Sequence, residues 1–348
     1  MTIPATKSKA SPNERHTKIA VNGHDQIFAP VADDLGQVVK NVRQLAASSN
    51  IRSSAVSAKL SHVLSTPGKK IRPAITLLAS RLFGTHGNNA VVNMATAVEL
   101  LHIATLIHDD TVDSANFRRG MATASNLWGG NIAVLLGDFV FAASATFVCD
   151  TNDIRLIRRF SETIRELSHG ELTEILDAGD AEVDRDSYLL RIYDKTASLF
   201  YTAAESGAVL GRASDDQILM LQNYGYNVGM AYQIKDDVLD FEASEQNLGK
   251  PATHDLASGI LTMPSILLME RSPSDNPVLD FLRGEVPQRA ELLKRAVEAV
   301  RMSGVLEEAR SEIAKYLALA RRSLDGTPDC RAKNSLLALA DFTSKRSH

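Results

Sequence analysis

Two acidic clusters carry the strongest chemical signal in this sequence. One reads Asp109-Asp110-Thr111-Val112-Asp113 and the other Asp236-Asp237-Val238-Leu239-Asp240, so both spell D-D-x-x-D. On a helix, residues four apart share a face, which pairs Asp109 with Asp113 and Asp236 with Asp240. Like charges at that spacing cost a bare helix a few tenths of a kcal/mol. Each cluster follows a strongly apolar run, 100–107 or 228–234, and so sits at the end of a core helix. Two costly clusters in such places ask for a counter-charge that the chain does not itself carry. Mg²⁺ is the natural one: it takes oxygen ligands, keeps waters, and bridges one or two carboxylates to substrate phosphates. Two facing clusters would hold several ions around one diphosphate. A single copy reads equally well as an exposed acidic turn; two copies of identical form argue against that.

Cationic groups supply the other half. Gly68-Lys69-Lys70-Ile71-Arg72-Pro73 sets three positive charges ahead of a helix start, and Arg118-Arg119-Gly120 follows the first acidic cluster. Lys195, beside Thr196, and Lys250 are single candidates. Arg and Lys side chains, with a helix N-terminus, make an anion site. His102 precedes Asp109 by two helical turns on the same face. Taken singly, the basic residues read as solvated surface charges and His102 as a hydrogen-bonded core residue. Their alternation with the acidic clusters is what points to a site. The inventory fits two polyanionic substrates, one bound through Mg²⁺ on the carboxylates and one bound metal-free on Lys and Arg.

The elements that must hold these residues are helices. The chain of 348 residues is 44% hydrophobic and 23% charged, the balance of a soluble globular protein rather than a disordered one. Its net charge of −4 argues against a role coating nucleic acid. Gly and Pro are sparse, and β-forming residues do not cluster into short alternating runs. Helical patterns are expected over residues 31–65, 72–83, 90–111, 127–150, 153–179, 186–210, 215–241, 262–270, 287–303, 305–324 and 332–345, with a Gly- and Pro-bearing loop at 249–259. The expected fold is all-α, one large antiparallel helical bundle spanning residues 31–348. Residues 1–30 are polar and read as a disordered extension without a signal-peptide core. The stretch 132–149 is long and apolar, but Asp138 interrupts it, and a carboxylate there is costly in lipid; a buried core helix is expected. Cys149 and Cys330 lie in no metal-type spacing and read as reduced thiols in a cytoplasmic protein.

With these residues in place, the sequence resembles the trans-isoprenyl diphosphate synthase (polyprenyl synthetase) family over about residues 35–348. The resemblance rests on GKKIRP at 68–73, ELLHIATLIHDDTVD at 99–113, FRRG at 117–120, VLLGDF at 134–139, YDKTASLF at 193–200, GMAYQIKDDVLDF at 229–241, LGKPATHDL at 248–256 and LTMPSILLME at 261–270. It implies an all-α fold around a deep central cavity, usually as a homodimer, with a small heteromeric partner as a further option. It implies that Asp109, Asp110, Asp113, Asp236, Asp237 and Asp240 hold Mg²⁺, three ions with substrate bound, on an allylic diphosphate. Arg118, Lys195 and Lys250 would contact the same diphosphate. Lys69, Arg72, His102 and Arg119 would hold isopentenyl diphosphate, and Thr196 and Gln233 would assist near the reacting carbons. The implied reaction ionises the allylic C–O bond, adds the alkene to the cation, and loses a proton to the departing diphosphate. No Ser or Cys nucleophile is needed, and no motif for one is present.

In this family the residues just before the first acidic motif help set product length. Ala104 and Thr105 are both small and lie roughly one turn, about 5.4 Å, below Asp109, which implies a product beyond C20, roughly C30–C50. Helical phase alone puts Thr105 nearer the Asp109 face than Ala104. Phe141 and Phe147 are candidate floor residues. Three positions depart from the family pattern, Gly259-Ile260, Thr66-Pro67 and His254, and none is a metal ligand. A geranylgeranyl or farnesyl diphosphate synthase is the nearest alternative. A class I terpene cyclase fits less well, because its second motif normally carries Asn, Ser or Glu and it has no use for a second diphosphate site. A metal phosphohydrolase suggested by His108-Asp109 lacks further His at suitable spacing. A non-catalytic subunit would not keep both acidic motifs.

Overall fold

The first acidic cluster ends helix α5 (Asn89–Val112), and the second lies near the end of α11 (Asp215–Glu242). Asn88 starts α5: its side-chain oxygen accepts the Ala90 N–H, a cap worth about 1 kcal/mol. Residues 94–101 of α5 are all buried, as an interior helix requires. The computed structural model describes residues 23–48, 51–84, 87–242 and 253–345.

Before α5 come α1 (Gly23–Phe28), α2 (Ala32–Leu45), α3 (Ser54–Leu64) and α4 (Ile71–Arg81). A two-residue hairpin follows it, β1 (Phe117–Arg118) antiparallel to β2 (Met121–Ala122), then α6 (Ala124–Trp128), α7 (Gly130–Cys149) and α8 (Ile154–Leu176). Next are α9 (Arg185–Ile192), a π-helical turn (Tyr193–Ala197) and α10 (Ser198–Leu210). After α11 the described chain continues as α12 (His254–Ala257), α13 (Met263–Arg271), α14 (Pro277–Arg283), α15 (Arg289–Met302), α16 (Val305–Arg322) and α17 (Arg331–Lys345). Helix α5 packs on α4, α7 and α10, and α11 packs on α10 and α16. The α10–α11 crossing is close because α11 carries glycines there. A Cβ on Gly225 would lie 2.6 Å from the Phe200 carbonyl oxygen, and one on Gly229 2.6 Å from Ala197 Cα.

The all-α bundle is as expected, with five local differences. Residues 1–22 lie outside the described residues, but 23–28 are helical, because Phe28 and Val31 insert into the main core. The single helix expected over 31–65 is two, α2 and α3. The helix expected over 186–210 is interrupted by the π-turn, and α14 was not anticipated. Finally, α7 is not a central helix. Both α5 and α7 are long and apolar enough to cross a membrane, but α5 is mostly buried and α7 only about one-third. Its inner face (Ala133, Leu136, Val140, Val148) packs inward, while Ile132, Val134, Leu135 and Phe139 are exposed in the single chain.

Candidate active site

Asp109 from α5 and Asp236 from α11 line one cavity of about 780 Å³. Arg72, His102, Arg118, Arg119, Lys195, Thr196 and Gln233 line it as well. Residues brought in from five separate stretches of sequence therefore converge on it. Asp113 stands at the end of α5 and is exposed. Asp240 accepts the backbone N–H groups of His254 (3.2 Å) and Asp255 (3.4 Å) at the start of α12. Lys69 is not on the cavity wall; its ammonium lies 5.4 Å from the Phe342 ring of α17. Lys250 lies outside the described residues.

The acidic side of the cavity is strained electrostatically. Burial, followed by the charge of Glu171, pushes the Asp109 carboxyl up to about 7. Burial raises Glu171 and Asp240 too. Burial and the neighbouring Asp240 push Asp255 well above the carboxylate range. Lys195 is the cation inside this group: its ammonium donates to Glu171 (3.1 Å) and Glu174 (2.5 Å) of α8. Burial works against its charge, but Glu174 and Glu171 more than offset that, so its pKa is raised.

Two motif aspartates take protein partners instead of facing the cavity. Asp110 is 7% exposed and accepts from Arg118 Nε at 2.6 Å. Asp237 is 2% exposed; it accepts from the Tyr188 hydroxyl and, at 2.8 Å, from Gln233 Nε2. The far end of Gln233 accepts from Thr196 Oγ1 at 2.7 Å, so one chain of hydrogen bonds joins Thr196, Gln233, Asp237 and Tyr188. The alternation is geometric: successive residues on a helix point about 100° apart, so adjacent aspartates cannot both face the cavity.

On the basic side, Arg72 lies with its guanidinium 4.3 Å from the Phe200 ring centre and donates to His102 Nε2 at 3.3 Å. Burial, then the Arg72 charge, pushes His102 well below the usual imidazole range, so the ring is neutral and Nε2 accepts. Arg119 donates to the Pro67 carbonyl at 2.6 Å. Its Nη1 lies 2.7 Å from where a Cβ on Gly68 would stand, so the guanidinium packs closely over that loop position. Lys70 is paired with buried Glu99 at 2.7 Å.

Below Asp109 the cavity wall is apolar, formed by Leu101, Thr105, Phe141, Ile164 and Leu167. Thr105 lines it, as helical phase implies. Ala104 does not: it is 1% exposed and packs with Leu136 and Val140 in the smaller core between α5 and α7. Of the two floor candidates, Phe141 is on the wall and Phe147 is packed against the cores. Sequence reasoning missed Glu171, Glu174, Tyr188 and Asp255. The available signal was weak, two carboxylates three apart on α8, a pattern common to solvated helix faces.

The Polyprenyl synthetase family matches residues 53–300. Heptaprenyl diphosphate synthase component 2 of Bacillus subtilis is 36% identical over 82% of this chain and 81% of its own. The crystal structure of heptaprenyl diphosphate synthase from Staphylococcus aureus superposes with a TM-score of 0.86 at 30% identity, covering 91% of this chain and 98% of that one. The polyprenyl synthase from Caulobacter crescentus, complexed with calcium and isoprenyl diphosphate, gives 0.85 at 31% identity, covering 93% and 98%. A helical bundle with two aspartate motifs on one deep cavity is thus a prenyltransferase acting on diphosphates. The chain belongs to the polyprenyl synthetase family.

Proposed function

We propose that this enzyme condenses isopentenyl diphosphate with an allylic diphosphate, extending the chain in trans to a product longer than C20, roughly C30–C50, a length set by how far the apolar shaft runs below the metal site. The observation that carries the reading is the juxtaposition of Asp109 and Asp236 on one cavity whose wall turns apolar within a helical turn or two. The second aspartate motif in its all-Asp form, and the separate Arg72, His102 and Arg119 group, favour elongation over cyclisation.

The donor set fits Mg²⁺. Asp109 and Asp236 offer carboxylate oxygens to one cavity, and a cation there would relieve the cost of burying Asp109 beside Glu171. A Mg²⁺ ion on these carboxylates would keep waters and take its remaining ligands from phosphate. Asp109, Asp113 and Asp236 are the residues we assign to direct contact, with Asp240 beside them, and Asp110 and Asp237 to orienting Arg118 and Gln233. Three ions around one diphosphate fit these positions. When bound, Mg²⁺ supplies Lewis-acid neutralisation of the leaving diphosphate.

The protein does the rest. Lys195 and Arg118 face the same diphosphate and hold it in line. Arg72, neutral His102 and Arg119 hold isopentenyl diphosphate without a metal. Thr196 and Gln233, locked through Asp237, present fixed dipoles beside the reacting carbons. Leu101, Thr105, Phe141, Ile164 and Leu167 keep water from the allylic cation. The departing diphosphate takes the proton.

The exposed apolar face of α7 supports a homodimer, in which a second copy covers Ile132, Leu135 and Phe139. A relative named as component 2 of a synthase also supports asking whether a small partner binds there. Sedimentation of the purified chain decides: Leu135→Glu, at a site 68% exposed in the single chain, should yield monomers if copies pair on this face. We place the enzyme in the cytoplasm. The test of the reaction is incubation with Mg²⁺, labelled isopentenyl diphosphate and C5, C10, C15 or C20 primers. Products longer than C20 are expected; products that stop at C20 from every primer would overturn the length assignment, and no elongation would overturn the reaction.

A further inference from the structure

We propose that His169 is a positioning residue for the diphosphate site: through Asp194 it holds the π-turn (Tyr193–Ala197) at the register that brings Lys195 and Thr196 to the cavity. The inference rests on the function proposed above and adds a residue that no motif contains.

The π-turn is where the site's chain of contacts is least self-supporting. A π-helical turn carries one more residue than an α-turn, and its hydrogen bonds are poorer, so such turns persist where outside contacts hold them. Here the outside contacts come from α8. His169 Nδ1–H donates to Asp194 Oδ2 at 2.7 Å. Asp194 is 7% exposed, whereas 61% of the His169 side chain is exposed, so the ring reaches in from the surface to a buried acceptor. At the next residue, Gly170, a Cβ would stand 2.5 Å from the Lys195 backbone nitrogen. Helix α8 and the turn therefore touch backbone to backbone there. Glu171, which follows Gly170, and Glu174, one turn beyond Gly170, take the Lys195 ammonium. Four residues of α8 thus grip two consecutive residues of the turn.

The consequence of losing the histidine follows from geometry. Without it, a buried carboxylate loses a donor, a deficit that costs more than the hydrogen bond is worth. Relaxation of the turn toward an ordinary α-helix offers Asp194 a way to water. A one-residue change of register rotates the following side chains by about 100°. Lys195 and Thr196 would leave the allylic diphosphate, while Arg72, His102 and Arg119, which sit on other elements, would not move.

The experiment compares His169→Ala and His169→Asn with the wild-type enzyme. The amide nitrogen of Asn can stand where Nδ1 does. In His169→Ala we expect the kcat/KM for the allylic diphosphate to fall about a hundredfold, as misplacement of a binding group does. The KM for isopentenyl diphosphate should stay within about twofold, and His169→Asn should restore most of the loss. Hydrogen exchange on the substrate-free proteins should show faster exchange of amides 193–198 in the alanine variant alone. Wild-type kinetics in His169→Ala would overturn the proposal. So would equal impairment of the Ala and Asn variants, or a loss shared evenly by both substrates. If the wild-type protein elongates no allylic diphosphate, the function reading has failed, and unchanged exchange at 193–198 would then sink the positioning role separately.

Discussion

Lys195 Nζ lies 2.5 Å from Glu174 Oε1, so this cation of the cavity wall is already neutralised by α8 before any substrate arrives. The pair, with Glu171, keeps a buried ammonium charged and fixes its direction. Replacing Glu174 by Gln keeps a hydrogen-bond acceptor and removes one negative charge from the site. We expect Glu174→Gln to retain turnover within about threefold, because Glu171 still holds the ammonium, whereas Lys195→Ala should lose about a hundredfold or more in kcat/KM for the allylic substrate. Steady-state kinetics on both variants decides this.

The motif aspartates should separate into two classes. Asp109→Ala and Asp236→Ala remove carboxylates from the cavity and should cut turnover by several orders of magnitude with folding retained. Asp110→Ala removes the acceptor that holds Arg118 and should cost about 10–100-fold, the range for groups that orient a ligand. A double-mutant cycle between Asp110 and Arg118 should show strong non-additivity. Equal losses at Asp109 and Asp110 would contradict the division.

A pH dependence of stability follows from Asp237. Its carboxyl is pushed from 3.8 up to about 7, chiefly by burial. Between those values the folded protein holds a proton that the unfolded chain has released. Its contribution to stability is therefore complete at low pH and declines as pH rises toward about 7. The metal-free protein should melt at progressively lower temperature across that interval for this reason, and Asp237→Asn should show a shallower decline. Parallel melting curves for the two proteins would contradict it.

Product length should respond to Thr105. It lines the shaft one turn from Asp109, so Thr105→Phe should shorten the product. Ala104→Tyr meets α7 first, in the seam with Leu136 and Val140. Its effect on length should come with a melting penalty of about 1–3 kcal/mol in stability, typical of overpacking. Sizing the products and measuring the melting of both variants checks the assignment.

How much of this was legible follows from what each signal measures. The aspartate motifs, the Arg72–His102 group and the all-α bundle were readable, because chemistry at fixed helical spacing survives in one dimension. Helical phase also separated Thr105 from Ala104 before any coordinates. The π-turn at Tyr193–Ala197 left no trace, since the helices it joins are mostly buried there and offer no polar face against which a phase change would show. Glu171 and Glu174 looked like any solvated face of an amphipathic helix. Helix α7 read as interior because hydropathy reports that a face wants cover, not which molecule supplies it.

The central claim is that the ends of α5 and α11 share one diphosphate through Mg²⁺. A crystal structure with Mg²⁺ and an unreactive allylic diphosphate analogue tests it most directly. The account predicts metal ions bridging the diphosphate to Asp109 on one side and Asp236 on the other, with the prenyl tail running past Thr105 toward Phe141. A diphosphate bound away from either aspartate, or a tail lying outside this cavity, would contradict it.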